Sequence, residues 1–389
     1  MSKEQLFFIQ VLSDYLNGKK TQRVPDLDWD TILLYARRHQ VSGIFYIQAK
    51  ENMPIEKQDI FRKEMLATVY YQTNRENELK DLKHIFDDAN IQFFIVKGPV
   101  VAELYPMCQI RTMGDIDLVV HSNDRKLCND ILVSEGYQCR SNQEDREWQY
   151  YKNNMELELH DHLVYREAIN EPGQDIFFND CWIYVNEGKL DWNFHLLFLI
   201  FHLRKHLMNS GAGFRHFMDL AVVPQKIDID WKWLEEKLNE TGMLAFSKRC
   251  YGLIYRWFSI KVPLMDDIDN EFCETATSKI FADGIFGFHN EDNKNSAVFN
   301  QVRKKKYPLI TMFLLSVKEV FPARKRLLKT EAYAYLERFP FLLPIAWIHR
   351  FFRTIKGNKM KIGKQSVEKS FISKDTIEKR DKMLKRWHL

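Results

Sequence analysis

Cysteine, glycine and proline are all scarce in this chain, and each shortage excludes something. Cys108, Cys128, Cys139, Cys181, Cys250 and Cys273 are scattered through 389 residues with no C-x-x-C pair. That argues against a zinc finger, a thioredoxin-type site or a disulfide scaffold, and suits a reducing compartment. With 15 Gly and 11 Pro in a chain that is 45% hydrophobic and 28% charged, a collagen-like or wholly disordered polymer is ruled out. No apolar run reaches the roughly 18 residues of a spanning helix, so the chain is not expected to be integral to a membrane. The stretch from Met1 to Leu12, with Asp14 close behind, is too brief and too polar for a signal peptide, and the expected location is cytoplasmic. G-x-S-x-G, Walker and G-x-G-x-x-G motifs are missing as well.

What remains is globular and electrostatically uneven. At roughly 150 residues per domain, the length suggests two to three domains. The formal net charge of +4 conceals a split: residues 303–389 hold 23 Lys and Arg against 7 Asp and Glu, a balance of +16, which leaves −12 on the rest. A segment of that sign invites a polyanionic partner.

The hydrophobic period divides the chain further. From Glu4 to about Asn90 apolar residues recur at helical spacing, as in Ile32, Leu33, Tyr35, Ala36 and Leu79, Leu82, Ile85, Phe86. The run from Ile91 to Val96 reads instead as a buried strand. Lys97-Gly98-Pro99 breaks it, and Pro99 suits the first turn of a helix through Tyr105. A second strand, Ile116 to Val120, carries Asp115 and Asp117 at its start, and a helix from Asn123 to Glu135 stops at Gly136. Two more strands, Trp148 to Tyr151 and Met155 to His160, flank the turn-forming Asn153-Asn154. The expected fold class is α+β, a small mixed β-sheet core with helices, flanked by N- and C-terminal helical regions. The expected parts are a helical region 1–90, an α/β core 91–185, a helical domain 190–288, a linker 289–306 and a basic amphipathic tail 303–389.

Chemistry concentrates in the α/β core. Alternation along a strand puts Asp115 and Asp117 on the same side, two carboxylates that need a cation. A hard divalent ion such as Mg²⁺ takes carboxylate oxygens together with substrate phosphates, and a third acid on an adjacent strand would complete the set. Glu158 is the natural third, because Glu156, Glu158 and His160 alternate with leucines and share a face. The plain alternative for an isolated Asp-x-Asp is a strand end with solvated acids. Lys97 adds a positive charge beside the Gly98 turn, whose backbone N–H groups can meet phosphate. Arg111 either reaches the same phosphates or pairs locally with Asp115 or Asp117.

At these residues the sequence resembles the nucleotidyltransferases of the polymerase-beta-like superfamily. More closely, it is similar to a family of mostly uncharacterised bacterial nucleotidyltransferases with Lys-Gly after the first strand, a tyrosine one helix later, then Arg and Asp-x-Asp. The matching positions are Lys97, Gly98, Tyr105, Arg111, Asp115 and Asp117, followed by Glu158-Leu159-His160. The likeness extends more weakly to His202, His206, Asp219 and Leu342-Leu343-Pro344. The resemblance implies transfer of a nucleoside monophosphate from an NTP to an acceptor hydroxyl, dependent on Mg²⁺ or Mn²⁺, with pyrophosphate leaving. Asp115 and Asp117 would hold the metals, Glu158 would share one ion and take the acceptor's proton, and Lys97 with the Gly98 turn would hold the outer phosphates. The acceptor is open among tRNA, another protein and a small molecule. One departure is that the wider superfamily has Gly-Ser or Gly-Gly at the phosphate turn, where this chain has Gly98-Pro99, sixteen residues ahead of Asp115. An alternative reading is a catalytically weak protein that keeps the fold and docks to RNA or an anionic membrane.

Two further patterns stand outside that core. His202 and His206 lie four apart, the spacing of a zinc pair, but with no glutamate after His202 and no evident third ligand. A hydrogen-bonded structural pair, or a face lining the cleft with His160, suits them better. Arg215 and Asp219, also four apart, are expected to bridge each other. In residues 303–389, Trp347, Phe351 and Phe352 interleave with Arg350 and Arg353, which suits peripheral contact with an anionic membrane or nucleic acid. The alternative is that the apolar side of that segment packs on the fold.

Overall fold

The computed structural model describes residues 1–141, 147–153, 155–163, 177, 181–285, 287, 321–328, 331–356 and 374–389. They fall into two compact units, residues 1–207 with 211–289, and 208–210 with 290–389. The linker expected at 289–306 lies outside the described residues.

The first unit opens with four helices, α1 (Lys3–Leu16), α2 (Trp29–His39), α3 (Ser42–Ala49) and α4 (Ile55–Asp88). Their starts follow from local capping. Ser2 and Gln5 form a reciprocal capping box on α1, and the Asp28 carboxylate accepts the Asp30 and Thr31 N–H groups on α2. Helix α4 has 34 residues, roughly 50 Å at 1.5 Å per residue, and its C-terminal half reaches the sheet.

That sheet has five strands in the order β1-β2-β5-β4-β3, with β1 (Phe93–Val96), β2 (Asp115–Val120), β3 (Gln138–Cys139), β4 (Trp148–Lys152) and β5 (Met155–His160). Only β2 and β5 pair in parallel, with Asp115 opposite Glu156 and Asp117 opposite Glu158. A parallel pair cannot be closed by a tight turn, and the intervening chain supplies α6 (Arg125–Ser134), β3 and β4 before β5 inserts between β2 and β4. Between β1 and β2 lie a short helix, α5 (Gly98–Ala102), and a 3-10 turn at Cys108–Ile110. The helix expected through Tyr105 therefore stops three residues early.

The two faces of the sheet differ in kind. Ile116, Leu118, Val120, Leu157 and Leu159 turn to one side and pack with Leu82 and Phe86 of α4 and Cys128 and Leu132 of α6. Period-2 alternation sends Asp115, Asp117, Glu158 and His160 to the other side.

A small hairpin, β6 (Val185–Asn186) with β7 (Lys189–Leu190), leads into α7 (Trp192–Asn209), α8 (Phe214–Lys226), α9 (Trp231–Glu240), α10 (Leu244–Phe258) and α11 (Asn270–Asp283). These helices share a core with the N-terminal ones. Phe8 of α1 lies 5.5 Å from the Phe214 ring and 5.3 Å from the Phe281 ring, and Ser13 and Asn17 donate to the Phe258 carbonyl. The α7–α8 turn is tight at Gly213, where a Cβ would sit 2.9 Å from His39 Nδ1 and from Ile285. Only glycine fits that approach.

In the second unit, α12 (Arg324–Leu327), α13 (Tyr335–Arg338) and α14 (Leu343–Lys356) surround a small cluster of Leu327, Tyr333, Leu336 and Ala346. Trp347 packs against that cluster and donates its indole N–H to the Pro322 carbonyl at 2.9 Å, whereas Phe341, Ile345 and Ile348 stay exposed. The last helix described is α15 (Lys374–Arg386). No helix among the described residues is long and apolar enough to cross a membrane.

Candidate active site

The polar face of the sheet brings Asp115, Asp117, Glu158 and His160 together. Asp117 is 3% exposed and accepts from the Lys97 ammonium and from His160 Nε2 at 3.1 Å. His160 Nε2 also lies 3.5 Å from Glu158 Oε2, and Glu158 Oε1 accepts from Gln149 on β4 at 3.0 Å. Asp115 makes no hydrogen bond or ion pair with another described side chain, although Arg75 on α4 lies within its field.

This crowding separates the four groups electrostatically. Burial alone would raise Asp117, but the Lys97 charge and the His160 hydrogen bond hold it well below the carboxylate range. Asp115 moves the other way, raised by burial and by the Asp117 charge. Burial disfavours a charged His160, yet its bonds to Asp117 and Glu158 push it up to about 9, so the ring is an imidazolium at neutral pH. Glu158 is likewise opposed by burial and lowered by His160.

Lys97 reaches Asp117 from an uncommon backbone conformation, φ +59° and ψ −117°, that glycine adopts more readily. The Lys97 N–H donates to His195 Nε2 on α7 at 3.0 Å. His195 is wholly buried and stacked on Trp192, and burial together with the Lys97 charge depresses it to about 3, so it acts as a neutral acceptor. Gly98 is fixed from the other side, where a Cβ would meet the Met113 side chain at 3.2 Å and where its carbonyl accepts from Arg111 Nη1 at 3.0 Å.

Arg111 corrects the expectation placed on it. Its guanidinium turns away from Asp115 and Asp117 and pairs bidentately with Asp219 of α8, Nε to Oδ1 at 2.8 Å and Nη2 to Oδ2 at 2.7 Å. Tyr105 donates to the same Oδ1 at 2.8 Å. Tyr105, Arg111 and Asp219 thus form one buried network that braces the Lys97-Gly98 turn. Arg215 is correspondingly not the partner of Asp219; it donates to Gln40 and Thr112 instead. A planar fork prefers the bidentate carboxylate, and Arg111 holds it.

His202 and His206 form the hydrogen-bonded pair, Nε2 to Nε2 at 2.9 Å. The sequence concealed a third ring: His216 of α8, with its centroid 4.4 Å from that of His206. Nothing in the spacing signals this, because the Gly213 turn folds α8 back on α7. Burial and neighbouring cations lower all three, His206 to about 3. Among the described residues, Asp117, Glu158 and His160 form one group with ligand atoms within 4.8 Å of one another, and His202, His206 and His216 form another.

A mixed sheet with acids gathered on one face and helices packed around it is consistent with a nucleotidyltransferase fold. A family model described as an uncharacterised nucleotidyltransferase matches residues 25–259, and the chain belongs to that family. No curated protein and no solved structure matches the chain. The matched span covers the helices from α2 through α10 and every strand named above.

Proposed function

We propose that the chain transfers a nucleoside monophosphate from an NTP to an acceptor hydroxyl and releases pyrophosphate, with Asp115, Asp117 and Glu158 holding Mg²⁺ or Mn²⁺. The observation that carries this reading is the parallel β2–β5 register, which sets Asp117 beside Glu158 on the face shared with Asp115. The donor set fits the ion. Three carboxylates raise one another's affinity for positive charge, and Asp115 has no counter-ion of its own among the described side chains. Hard oxygen donors of this kind suit Mg²⁺ or Mn²⁺ rather than a softer metal. The bound ion would neutralise charge on the reacting phosphates.

The protein's own groups then divide the remaining work. Lys97 keeps Asp117 ionised and adds positive charge where the triphosphate enters. His160 is protonated at neutral pH, so it is a donor and not the base. Glu158 stays ionised beside it and is the group we assign to receive the acceptor's proton. Lys97 can serve only if its turn is held, which is the service of His195, Gly98 and the Arg111–Asp219 pair.

The test is pyrophosphate release by the purified chain with each of the four common NTPs, Mg²⁺ or Mn²⁺ and a cell extract as acceptor source. Release that requires the metal and disappears in Glu158→Gln is expected. Absence of release from every NTP, or release unaffected by Glu158→Gln, overturns the reading.

A further inference from the structure

One half-buried cation has no counterpart in the chemistry above. Arg215 sits in the first turn of α8, and all three of its hydrogen bonds leave from Nη1: to Gln40 Oε1 at 2.6 Å, to the Thr112 carbonyl at 2.7 Å and to Thr112 Oγ1 at 2.6 Å. Its Nε is shielded from solvent without a partner, and Nη2 makes no hydrogen bond to a described residue. Nε and Nη2 together are the edge of the fork that engages two oxygens of one anion. Arg111 spends that same edge on Asp219; Arg215 has no such carboxylate. Burial and the nearby Arg111 charge push the Arg215 guanidinium down to about 10. A guanidinium with a shielded, open edge and no ion-paired carboxylate of its own calls for an anion.

The imidazoles beside it point the same way. Gly213 N–H donates to His216 Nδ1 at 3.1 Å, and a neutral ring with an accepting Nδ1 carries its proton on Nε2. Both nitrogens of His216 are therefore unsuited to a metal, one being taken and the other protonated. His202 and His206 share one N–H···N bond. Three rings close enough to suggest zinc thus present an N–H donor instead. His202 and His206 lie within the field of Lys97, and Arg215 lies within the field of Asp115, so the group borders the carboxylate face. The cations first expected to meet phosphate are committed elsewhere, Arg111 to Asp219 and Lys97 to Asp117.

We propose that the open edge of Arg215, with the imidazoles of His202, His206 and His216, seats the outer phosphates of the triphosphate. The inference rests on the nucleotidyl-transfer reading for the identity of the ligand, but the seat is testable without transfer. The experiment is calorimetric titration of the full chain with sodium tripolyphosphate in EDTA, without nucleoside and without divalent metal. The parent chain is expected to bind, and Arg215→Gln and His206→Gln to bind at least tenfold more weakly.

Arg215 also tethers Gln40 and Thr112, so its loss could loosen the fold. Histidine-labelled ¹⁵N spectra of the unmutated chain provide the second measurement, in which tripolyphosphate should move imidazole signals of the cluster. At least one NTP should displace tripolyphosphate, and a free nucleoside should not. Equal affinity in a folded Arg215→Gln, unmoved imidazole signals, or failure of every NTP to compete each overturn the proposal. So does zinc retained by the parent and lost in His202→Gln, without tripolyphosphate binding. If the seat binds as described in a chain that releases no pyrophosphate, the transfer reading fails while the polyphosphate seat stands. If pyrophosphate is released with no dependence on Arg215, the seat fails alone.

Discussion

Counting carboxylates alone suggests that Asp117→Asn relieves repulsion and stabilises the chain, but the contacts at Asp117 reverse the sign. The substitution leaves a buried Lys97 and a charged His160 short of their anion, and breaking a buried pair costs up to about 3–5 kcal/mol. Asp117→Asn should therefore lower the melting temperature and abolish transfer together; an unchanged or higher melting temperature would mean that the ion pairs contribute nothing net. His160 carries a pH dependence of its own. Its pKa is raised in the folded state to about 9 from 6.5, so its stabilising contribution is complete below about pH 6.5 and is lost as pH rises through about 9. A shift of that size corresponds to about 3 kcal/mol at most. Urea unfolding between pH 6.5 and 9.5 should show the parent losing stability that His160→Gln does not lose.

Among the elements, legibility followed periodicity. Four of the five core strands were readable as short apolar runs and the two-residue β3 was not; period-2 phase pairs Asp115 with Asp117 on β2 and Glu158 with His160 on β5, and the β2–β5 register then puts the two pairs on one face. The α7–α8 pair was not readable in the same way. His195, Arg215 and His216 acquire their neighbours from the Gly213 turn and from chain about 100 residues away, and no local pattern encodes a contact of that range. Arg111 shows the difference at one residue. Its place ahead of the acids was visible, while its direction was set by Asp219 on a helix more than 100 positions later. Because that pair is buried, Asp219→Ala should cost about 3–5 kcal/mol and free the Lys97-Gly98 turn. The expected readout is a large drop in unfolding free energy, with a rise in apparent KM for the NTP in whatever fraction remains folded. Wild-type stability in Asp219→Ala would remove Arg111 from the bracing role.

Among the described residues of the first unit, five histidines are lowered by burial: His39, His195 and His206 to about 3, with His202 and His216 well below the ordinary value. Each is neutral when folded and protonates near 6.5 when unfolded, so stability is present above that pH and falls as pH drops below it. The unfolding free energy should decline steeply from pH 6.5 towards pH 4, with several protons taken up per molecule; calorimetry in buffers of different ionisation enthalpy measures that number. An uptake near zero would mean that the rings are hydrated in the fold. The second unit holds part of the basic segment around its own small apolar cluster, so its exposed Ile345 and Ile348 are surface left over after Leu336 and Ala346 have found cover.

The insertion of β5 between β2 and β4 also sets an order of events in time. The β4–β5 hairpin closes across a turn at Asn153 and needs no distant chain, whereas β5 must cross more than 30 residues to reach β2. The hairpin is therefore expected to form early, and the seam that joins Glu158 to Asp117 to form late. Pulse-labelled hydrogen exchange during refolding should protect the amides of Tyr150 and Leu157 before that of Leu118. A chain halted at the intermediate would possess most of its secondary structure and none of its chemistry.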